Sequence, residues 1–334
     1  MKRIDLSHGG GGRATAELIR DLFQRHFANP LLGQGHDASV MPRPAGRLAI
    51  STDAHVVSPI FFPGGDIGAL AVHGTLNDVA MAGAVPIALS AAFILEEGYP
   101  IADLDRIAAA MGAAAREAGV PIATGDTKVV EKGKGDGVFI ATTGIGVVPD
   151  GVEIGTHRVR PGQAVLLSGT IGDHGVAILA HRQNLAFETR IESDSQSLHR
   201  LVAAMVTAVP GLAMLRDPTR GGLSATLNEI ASAAGVGMAL DERAIPVRPE
   251  VASACELLGL DPLHIANEGK LVAICDAADA PALLAAMRGR PEGRDAAIIG
   301  TVTAEVPGMI EMTTAIGGRR IVDWLAGEQL PRIC

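Results

Sequence analysis

Residues 65–84 read GDIGALAVHGTLNDVAMAGA. The spacing predicts a helix, but almost every side chain on it is small. Glycine and alanine let a neighbouring backbone approach, so a helix of this kind must pack closely against its surroundings. It lies between two apolar strand patterns, RLAIST at 47–52 and PIALSAAFIL at 86–95. IADLDRIAAAMGAAAREAG (101–119) predicts a second helix with Gly119 as its stop signal. VPIATGDT (120–127) and DGVFIATTGIGVV (136–148) then read as strands. Strands alternating with helices point to an α/β or α+β domain. Aromatic residues make up only 3% of the chain, with one Trp and one Tyr, so the core must be built from Ala, Val, Ile and Leu.

The rest of the chain divides around this unit. A glycine-rich segment, His8 to Gly12, precedes the helical pattern TAELIRDLFQRHF. The polar stretch VPDGVEIGTHRVRPGQ (148–163) reads as a linker. Beyond it, AVLLSG (164–169), KLVAIC (270–275) and AAIIGTV (296–302) read as strands. Helical patterns fall near 172–183, 195–208, 221–234 and 249–259. From about 318 the chain thins into a tail, GRRIVDWLAGEQLPRIC. A length of 334 residues suits two domains. The expected division is 1–150, 151–317 and a tail from 318 to 334.

Charge and cysteines exclude several classes. A formal net charge of −9 argues against tracking nucleic-acid phosphates, and scarce aromatics remove stacking platforms for single strands. An acidic protein can still bind ATP, because Mg²⁺ bridges carboxylates to phosphates. Cys255, Cys275 and Cys334 are scattered, with no CxxC, so neither a disulfide framework nor a zinc site is expected. Cys255 and Cys275 sit in apolar patterns and read as packed small hydrophobes. The start, MKRIDLSHGGGGRAT, has no apolar signal core, and no apolar run approaches membrane-spanning length. The cytoplasm is the default expectation.

Standard phosphate and hydrolase motifs are absent: there is no GxxxxGK(S/T), no GxGxxG between strand and helix, no HExxH and no GxSxG. The remaining candidate device is a set of aspartates at element ends beside small residues: Asp37, Asp53, Asp78, Asp126 and Asp217. Carboxylates that follow strands sit where ligands meet α/β sheets, and several converging on one point suit Mg²⁺. Lys128 follows Asp126 by two residues and Arg220 follows Asp217 by three; both can neutralise phosphate. Taken singly, most of these aspartates read as caps or turn residues; as a set with Lys128 they carry more weight. Glycines 9–12 read either as a phosphate-cradling nest or as a flexible arm. Glu268, in ANEGK, reads either as a general base or as a surface turn. His36 and His174 are individually uninformative.

Taken in order, HGGGGRA, STDAHVVSPIFFPGGDIG, GTLNDVAMAGA, FILEEG, TGDTKVV, SGTIGDHG, RDPTRGG, ANEGKLV and the final PRIC closely resemble the HypE family of hydrogenase maturation proteins. These are carbamoyl dehydratases that make the cyanide ligands of nickel–iron hydrogenase. The resemblance spans essentially the whole chain. The aspartate and TRGG segments are shared with a wider superfamily that includes aminoimidazole ribonucleotide synthetase, thiamine-phosphate kinase and selenophosphate synthetase; the PRIC ending is not.

The resemblance implies a two-domain α/β (α+β) fold of the aminoimidazole ribonucleotide synthetase type. Its first domain dimerises through its sheet, and ATP with Mg²⁺ lies in a cleft between the domains near the dimer interface. It implies metal and phosphate roles for Asp37, Asp53, Asp78, Asp126 and Asp217. Thr127, Lys128, Arg220 and Gly221 join the nucleotide site. Glu268, Lys128 and Asp78 are implied as catalytic, with Glu268 as the base. Cys334 is implied as the carrier of an S-carboxamide that ATP-dependent dehydration turns into a thiocyanate. Implied partners are a second copy, a HypF-like carbamoyltransferase that loads Cys334, and a HypC–HypD-like iron scaffold that receives the cyano group.

Ten residues, Leu325 to Cys334, span at most ~33–36 Å, enough to reach a cleft or a partner. Pro331 fixes its own φ and biases Leu330 towards extension, so the tail is semi-stiff. The terminal carboxylate disfavours the thiolate and Arg332 opposes this, so no strongly activated free thiol is expected. Two rival readings exist: a superfamily synthetase or kinase acting on a free small molecule, independent of Cys334, and a non-catalytic adaptor whose tail only docks. Selenophosphate synthesis is disfavoured because the N-terminal glycine-rich segment has no cysteine.

Overall fold

The computed structural model describes residues 2–185, 190–324 and 332–334. Two short helices, α1 (Arg13–Leu18) and α2 (Arg25–Phe27), are joined by a wider helical turn at Ile19–Gln24. Then come β1 (Arg47–His55), the small hairpin β2 (Phe61–Phe62) and β3 (Gly65–Asp66), α3 (Ile67–Met81), β4 (Val85–Glu96), α4 (Ile101–Ala118), β5 (Ile122–Val130) and β6 (Val138–Val148). The larger strands form a four-stranded sheet in the order β1-β6-β4-β5. β4 and β5 run parallel across the α4 crossover, and the other pairs are antiparallel.

The small-residue helix is α3. Asp66 caps it, accepting from Gly68 N at 2.8 Å and Ala69 N at 3.1 Å. A Cβ on Gly68 would stand 2.3 Å from the Ile107 carbonyl, so α3 and α4 meet where only glycine fits. Both helices cover one face of the sheet. Leu70, Leu76, Leu104, Ile107 and Met111 are fully enclosed there, each contributing ~1.5–3 kcal/mol of burial. The scarce aromatics are concentrated: Phe23 and Phe93 lie 4.7 Å apart, with Phe27 beside them.

The opposite face of this sheet has no cover from the described residues. β6 alternates strictly between buried and half-buried residues. Leu48, Ile50, Val85 and Ile94 are exposed, Ile50 at 73%. Leu48 pairs with Val147 and Ile50 with Ile145 across the strands.

The second unit contains β7 (Gln163–Leu167), α5 (Asp173–Arg182), α6 (His199–Ala208), β8 (Met214–Arg216), α7 (Gly222–Ala234), β9 (Gly237–Asp241), α8 (Pro249–Leu258), β10 (Val272–Asp276), α9 (Ala280–Arg288), β11 (Ala297–Thr303), β12 (Ile310–Thr313) and β13 (Arg319–Ile321). Its seven strands run in the order β13-β12-β9-β11-β7-β10-β8. Separate apolar clusters cover the two faces, one including α7 and the other α6 and α9. Every residue of β7 is therefore buried, as in a strand enclosed from both sides.

Three expectations change. Residues 319–321, assigned to the tail, form β13, paired with β12. Helix α6 starts at His199, not 195; the N–H of Leu198, just before it, is taken by Asn77 Oδ1 at 2.7 Å. Val152 and Val159 in the linker are buried, so it is a packed connection. Among the described residues no helix is long and apolar enough to cross a membrane.

Candidate active site

The inner face of β1 presents Ser51, Asp53 and His55 in alternation, opposite α3. Ser51 Oγ donates to Asp78 Oδ2 on α3 at 2.8 Å. His55 Nε2 lies 3.7 Å from Asp53 Oδ2 and 3.4 Å from Thr142 Oγ1, while its Nδ1 has no partner. Gly74 makes the closure possible. A Cβ there would stand 3.1 Å from His55 Cε1, 3.5 Å from Asp53 Oδ2 and 3.9 Å from Glu268 Oε2.

The second unit meets this wall through two loops. Asp217 follows β8, and Arg220 and Gly221 lead into α7. Residues 267–270 form the other loop. Asn267 is fully buried; its Oδ1 accepts from Gly172 N at 2.8 Å and its amide nitrogen donates to Pro218 O and Ile265 O at 3.0 Å. Lys270 Nζ pairs with Asp194 Oδ2 at 3.0 Å, both side chains nearly enclosed, and Glu268 N donates to Asp194 Oδ1 at 3.0 Å. Asn77 Nδ2 donates to Gln196 O at 3.0 Å and reaches Glu268 O at 3.3 Å, tying α3 to this loop. Glu268 is thus fixed by its backbone while Oε1 has no partner.

Arg332, Ile333 and Cys334 lie against this cleft. Val56 N donates to Cys334 O at 3.0 Å and Ser58 N to Arg332 O at 3.1 Å. Ile333 is 5% exposed and belongs to the core of the first unit. The expected stiffness from Leu330 and Pro331, and the reach of the arm from Leu325, lie outside the described residues. The thiol faces inward, and the charges acting on it are those of Glu268, Arg220, Asp53 and Asp217.

Electrostatics follow from this crowding. Burial, reinforced by Asp217, Asp194, Asp53 and Asp78, raises the Glu268 carboxyl well above the usual range. Burial and Asp78 push Asp217 up to about 7. Asp78 is raised by its burial, with Asp53 adding to the shift. Burial lowers His55, keeping it neutral. Burial and Glu268 push the Cys334 thiol up to about 12. The opposing cation is Arg220; Arg332, the cation expected there, instead pairs with Asp136 and donates to Val56 O at 3.2 Å.

The remaining expected residues lie elsewhere in the single chain. Asp53 on β1 and Asp126 on β5 stand at opposite edges of the four-stranded sheet. The row Asp53–Thr142–Ala91–Gly125 puts three strand spacings, ~14 Å, between them. Asp126 and Lys128 also point to the uncovered face, paired with each other at 2.6 Å, whereas Thr127 is buried. Asp37 is exposed in a bend. No group of three or more ligating side chains is closed around a metal position among the described residues; Asp53, Asp78 and Asp217 act on one another at longer range. Residues 9–12 end a short 3₁₀ turn and open α1, with Gly9 close against Val129 on β5. Sequence reasoning did not single out His55, Asn77, Asp194, Asn267, Lys270 or Arg182. Three of these lie in the ANEGK and TLND segments, whose polar density was a usable signal.

Comparison with known proteins places this geometry in a family. Residues 35–148 match the family model described as AIR synthase related protein, N-terminal domain, and residues 160–310 match its C-terminal domain. The carbamoyl dehydratase HypE of Cupriavidus necator is 66% identical over 99% of this chain and 95% of its own. That of Azotobacter vinelandii is 63% identical over 99% and 97%. A crystal structure of hydrogenase maturation protein HypE in complex with ATP superimposes with a TM-score of 0.95 at 53% identity, covering 98% of this chain and 99% of that one. A HypE–HypF complex structure gives 0.82 at 45% identity, covering 92% and 99%. The chain belongs to the HypE family of carbamoyl dehydratases, built on the AIR synthase related fold.

Proposed function

We propose that the chain dehydrates a carboxamide carried on its own Cys334, using ATP, and so makes the cyano group used in hydrogenase maturation. The observation that carries the reading is the seating of Cys334 in the cleft between the two units, where Val56 N donates to its carbonyl at 3.0 Å and the charges of Glu268, Asp217, Asp53 and Arg220 reach its thiol. A docking tail needs no such carboxylates, and a small-molecule synthetase needs no thiol among them.

The residues fit Mg²⁺ and a nucleotide. Asp53, Asp78 and Asp217 are hard oxygen donors, and burial with mutual repulsion raises Asp78 and Asp217, a cost that a divalent cation relieves. These three would hold the metal, and Arg220 with the Gly221 turn would face phosphate. Bound ATP supplies the phosphoryl group that turns the amide oxygen into a leaving group, with Mg²⁺ spreading its charge.

The chain must then manage two protons. Converting S–C(=O)–NH₂ to S–C≡N removes both N–H protons and the oxygen, which departs with phosphate. Glu268 is the proton acceptor in this reading. Burial, reinforced by four neighbouring carboxylates, raises its carboxyl well above the usual range, and a cation held by Asp217, Asp53 and Asp78 would favour its ionised form, the form that acts as a base. Buried His55 stays neutral beside Asp53, and Ile333 with the tail backbone excludes water.

Asp126 and Lys128 take their role from a second copy. The uncovered sheet face carries Leu48, Ile50, Val85 and Ile94 together with Asp126 and Lys128. A homodimer closed on this face puts both Asp126–Lys128 pairs at the interface, where Lys128 contacts phosphate. Asp37 joins that edge. The partner that loads Cys334 is a HypF-like carbamoyltransferase, in keeping with the HypE–HypF structure, and the cyano group passes to a HypC–HypD-like iron scaffold.

The test is mass spectrometry of the C-terminal peptide after incubation with the carbamoyltransferase, carbamoyl phosphate and Mg·ATP. Cys334 should gain a carbamoyl adduct that loses one water when ATP is added. In Glu268→Gln the adduct should form normally and lose water at least ~100-fold more slowly. Normal dehydration in that variant removes Glu268 from the base role, and no adduct at Cys334 ends the reading.

A further inference from the structure

The described end of the tail is held by more than its backbone pairing. Arg332 and Cys334 turn their carbonyls towards Val56 and Ser58, which donate to them. Alternation along an extended segment then points the Ile333 carbonyl the other way, towards α5. A buried carbonyl needs a donor, and α5 supplies one: His174 Nε2 lies 2.7 Å from Ile333 O. With Nε2–H donating, Nδ1 must accept, and Ser193 Oγ stands 2.7 Å away to donate to it. Phe62 sets the ring from the side, edge-on at 5.6 Å between centroids.

Two turns along the same face of α5, Arg182 repeats the pattern. Its Nε donates to Ser58 O at 2.9 Å and its Nη2 to Arg332 O at 2.9 Å. Arg332 itself stands at φ 55, a left-handed conformation that a non-glycine residue keeps only when its surroundings hold it. The two α5 side chains therefore grip successive carbonyls of the arm, one residue and two residues before the reacting sulfur.

We propose that His174 and Arg182 are positioning residues for dehydration, a latch on α5 that holds the inward arm by the Ile333 and Arg332 carbonyls and sets the fraction of time Cys334 spends in the site. The inference rests on the reading of Cys334 as the carrier. Swinging the arm out to be loaded leaves the enclosed His174 N–H without its acceptor, so the latch favours the inward state. Its loss shifts the arm outward, which slows dehydration and exposes the thiol. Loading, which happens on the outward arm, is not slowed.

Two measurements test this on the intact chain. The first is single-turnover water loss from carbamoyl-loaded protein after adding Mg·ATP, read on the C-terminal peptide. His174→Ala should be slower by about tenfold or more, as expected for loss of one buried hydrogen bond. His174→Gln, whose amide can donate from nearly the same place, should recover much of the rate. Arg182→Ala is the second variant, at a half-buried position whose loss the fold tolerates better, and should show a smaller decrease. The second measurement is alkylation of Cys334 by iodoacetamide without nucleotide, read on the same peptide. It should accelerate in His174→Ala and Arg182→Ala, while the loading rate stays at or above wild type. Unchanged dehydration with unchanged alkylation overturns the latch. So does a parallel fall of loading and dehydration, which marks general damage. A wild-type chain that is loaded but never dehydrated overturns the carrier reading instead, and alkylation then decides the latch alone.

Discussion

Replacing Asp217 by Asn should stabilise the free protein at alkaline pH and blunt its response to divalent cations. Asp217 sits at about 7 against an ordinary 3.8, first because it is buried and then because Asp78 and Asp53 repel its charge. At about 1.4 kcal/mol for each tenfold change in proton affinity, that gap corresponds to about 4 kcal/mol. Asp78 and Asp53 share the repulsion and take up part of it when Asp217 ionises, which brings the expected gain to ~2–4 kcal/mol.

The sign depends on which state loses its proton first. Below pH 3.8 the folded and unfolded chains both hold it, and the substitution is neutral. Between pH 3.8 and about 7 the unfolded chain ionises while the folded chain does not, so rising pH erodes wild-type stability. Above 7 the deficit is complete and constant. The asparagine variant lacks this slope. Urea denaturation followed by far-UV circular dichroism should therefore give coincident midpoints near pH 4 and a variant midpoint higher by roughly 1 M at pH 8. Mg²⁺ with nucleotide should raise the wild-type midpoint at pH 8 more than that of the variant. A variant no more stable than wild type at pH 8, or a difference that persists undiminished at pH 4, refutes the account of a strained carboxylate group.

Two further outcomes separate the structural supports of the site. Lys270→Met leaves Asp194 buried without its cation and should cost about 3–5 kcal/mol at pH 8. In wild type the Lys270 ammonium, helped by the Glu268 N–H, outweighs burial and holds Asp194 below the usual range, so its contribution is lost only in acid; without Lys270 the sign reverses, and the deficit should shrink at pH 5. Ile50→Glu places a charge on the exposed sheet face opposite Ile145 and should give a folded monomer by light scattering, with ATP-dependent dehydration at least ~10-fold slower. A wild-type chain that is itself monomeric and fully active removes the dimer and the interface role of Lys128.

What could be read in advance followed the range of each interaction. Helix α3 was legible because its run of small residues is local. The strands β8, β12 and β13 are three or four residues long, too short for a period to declare itself, and β13 acquires its identity only by pairing with β12. The carboxylates Asp53, Asp78, Asp217 and Glu268 stood out by their element-end positions, and the fold brings them together. Asp126 and Lys128 looked equivalent to them in sequence. Only the strand order and the alternation of faces separate them from Asp53, and neither is visible in a single strand. His174 was uninformative for a related reason: its partner is the Ile333 carbonyl, 159 positions away.

The same carboxylates give the thiol two different chemistries. Inside the cleft, burial together with Glu268, Asp53 and Asp217 outweighs Arg220, so Cys334 is pushed up to about 12 and stays protonated at any physiological pH. A protonated, enclosed thiol is a poor nucleophile, so it cannot be acylated where it rests, and the arm must leave to be loaded. Once loaded, the sulfur has no proton to lose and the carboxylates no longer oppose it. They would instead hold the cation that accompanies ATP, whose charge would favour the ionised form of Glu268. One arrangement of charge thus disfavours acylation of the inward thiol and, while no cation is held beside it, ionisation of Glu268. The order of steps, loading outside before dehydration inside, then follows from electrostatics, and neutralising any of these carboxylates should loosen it by making the inward thiol easier to alkylate.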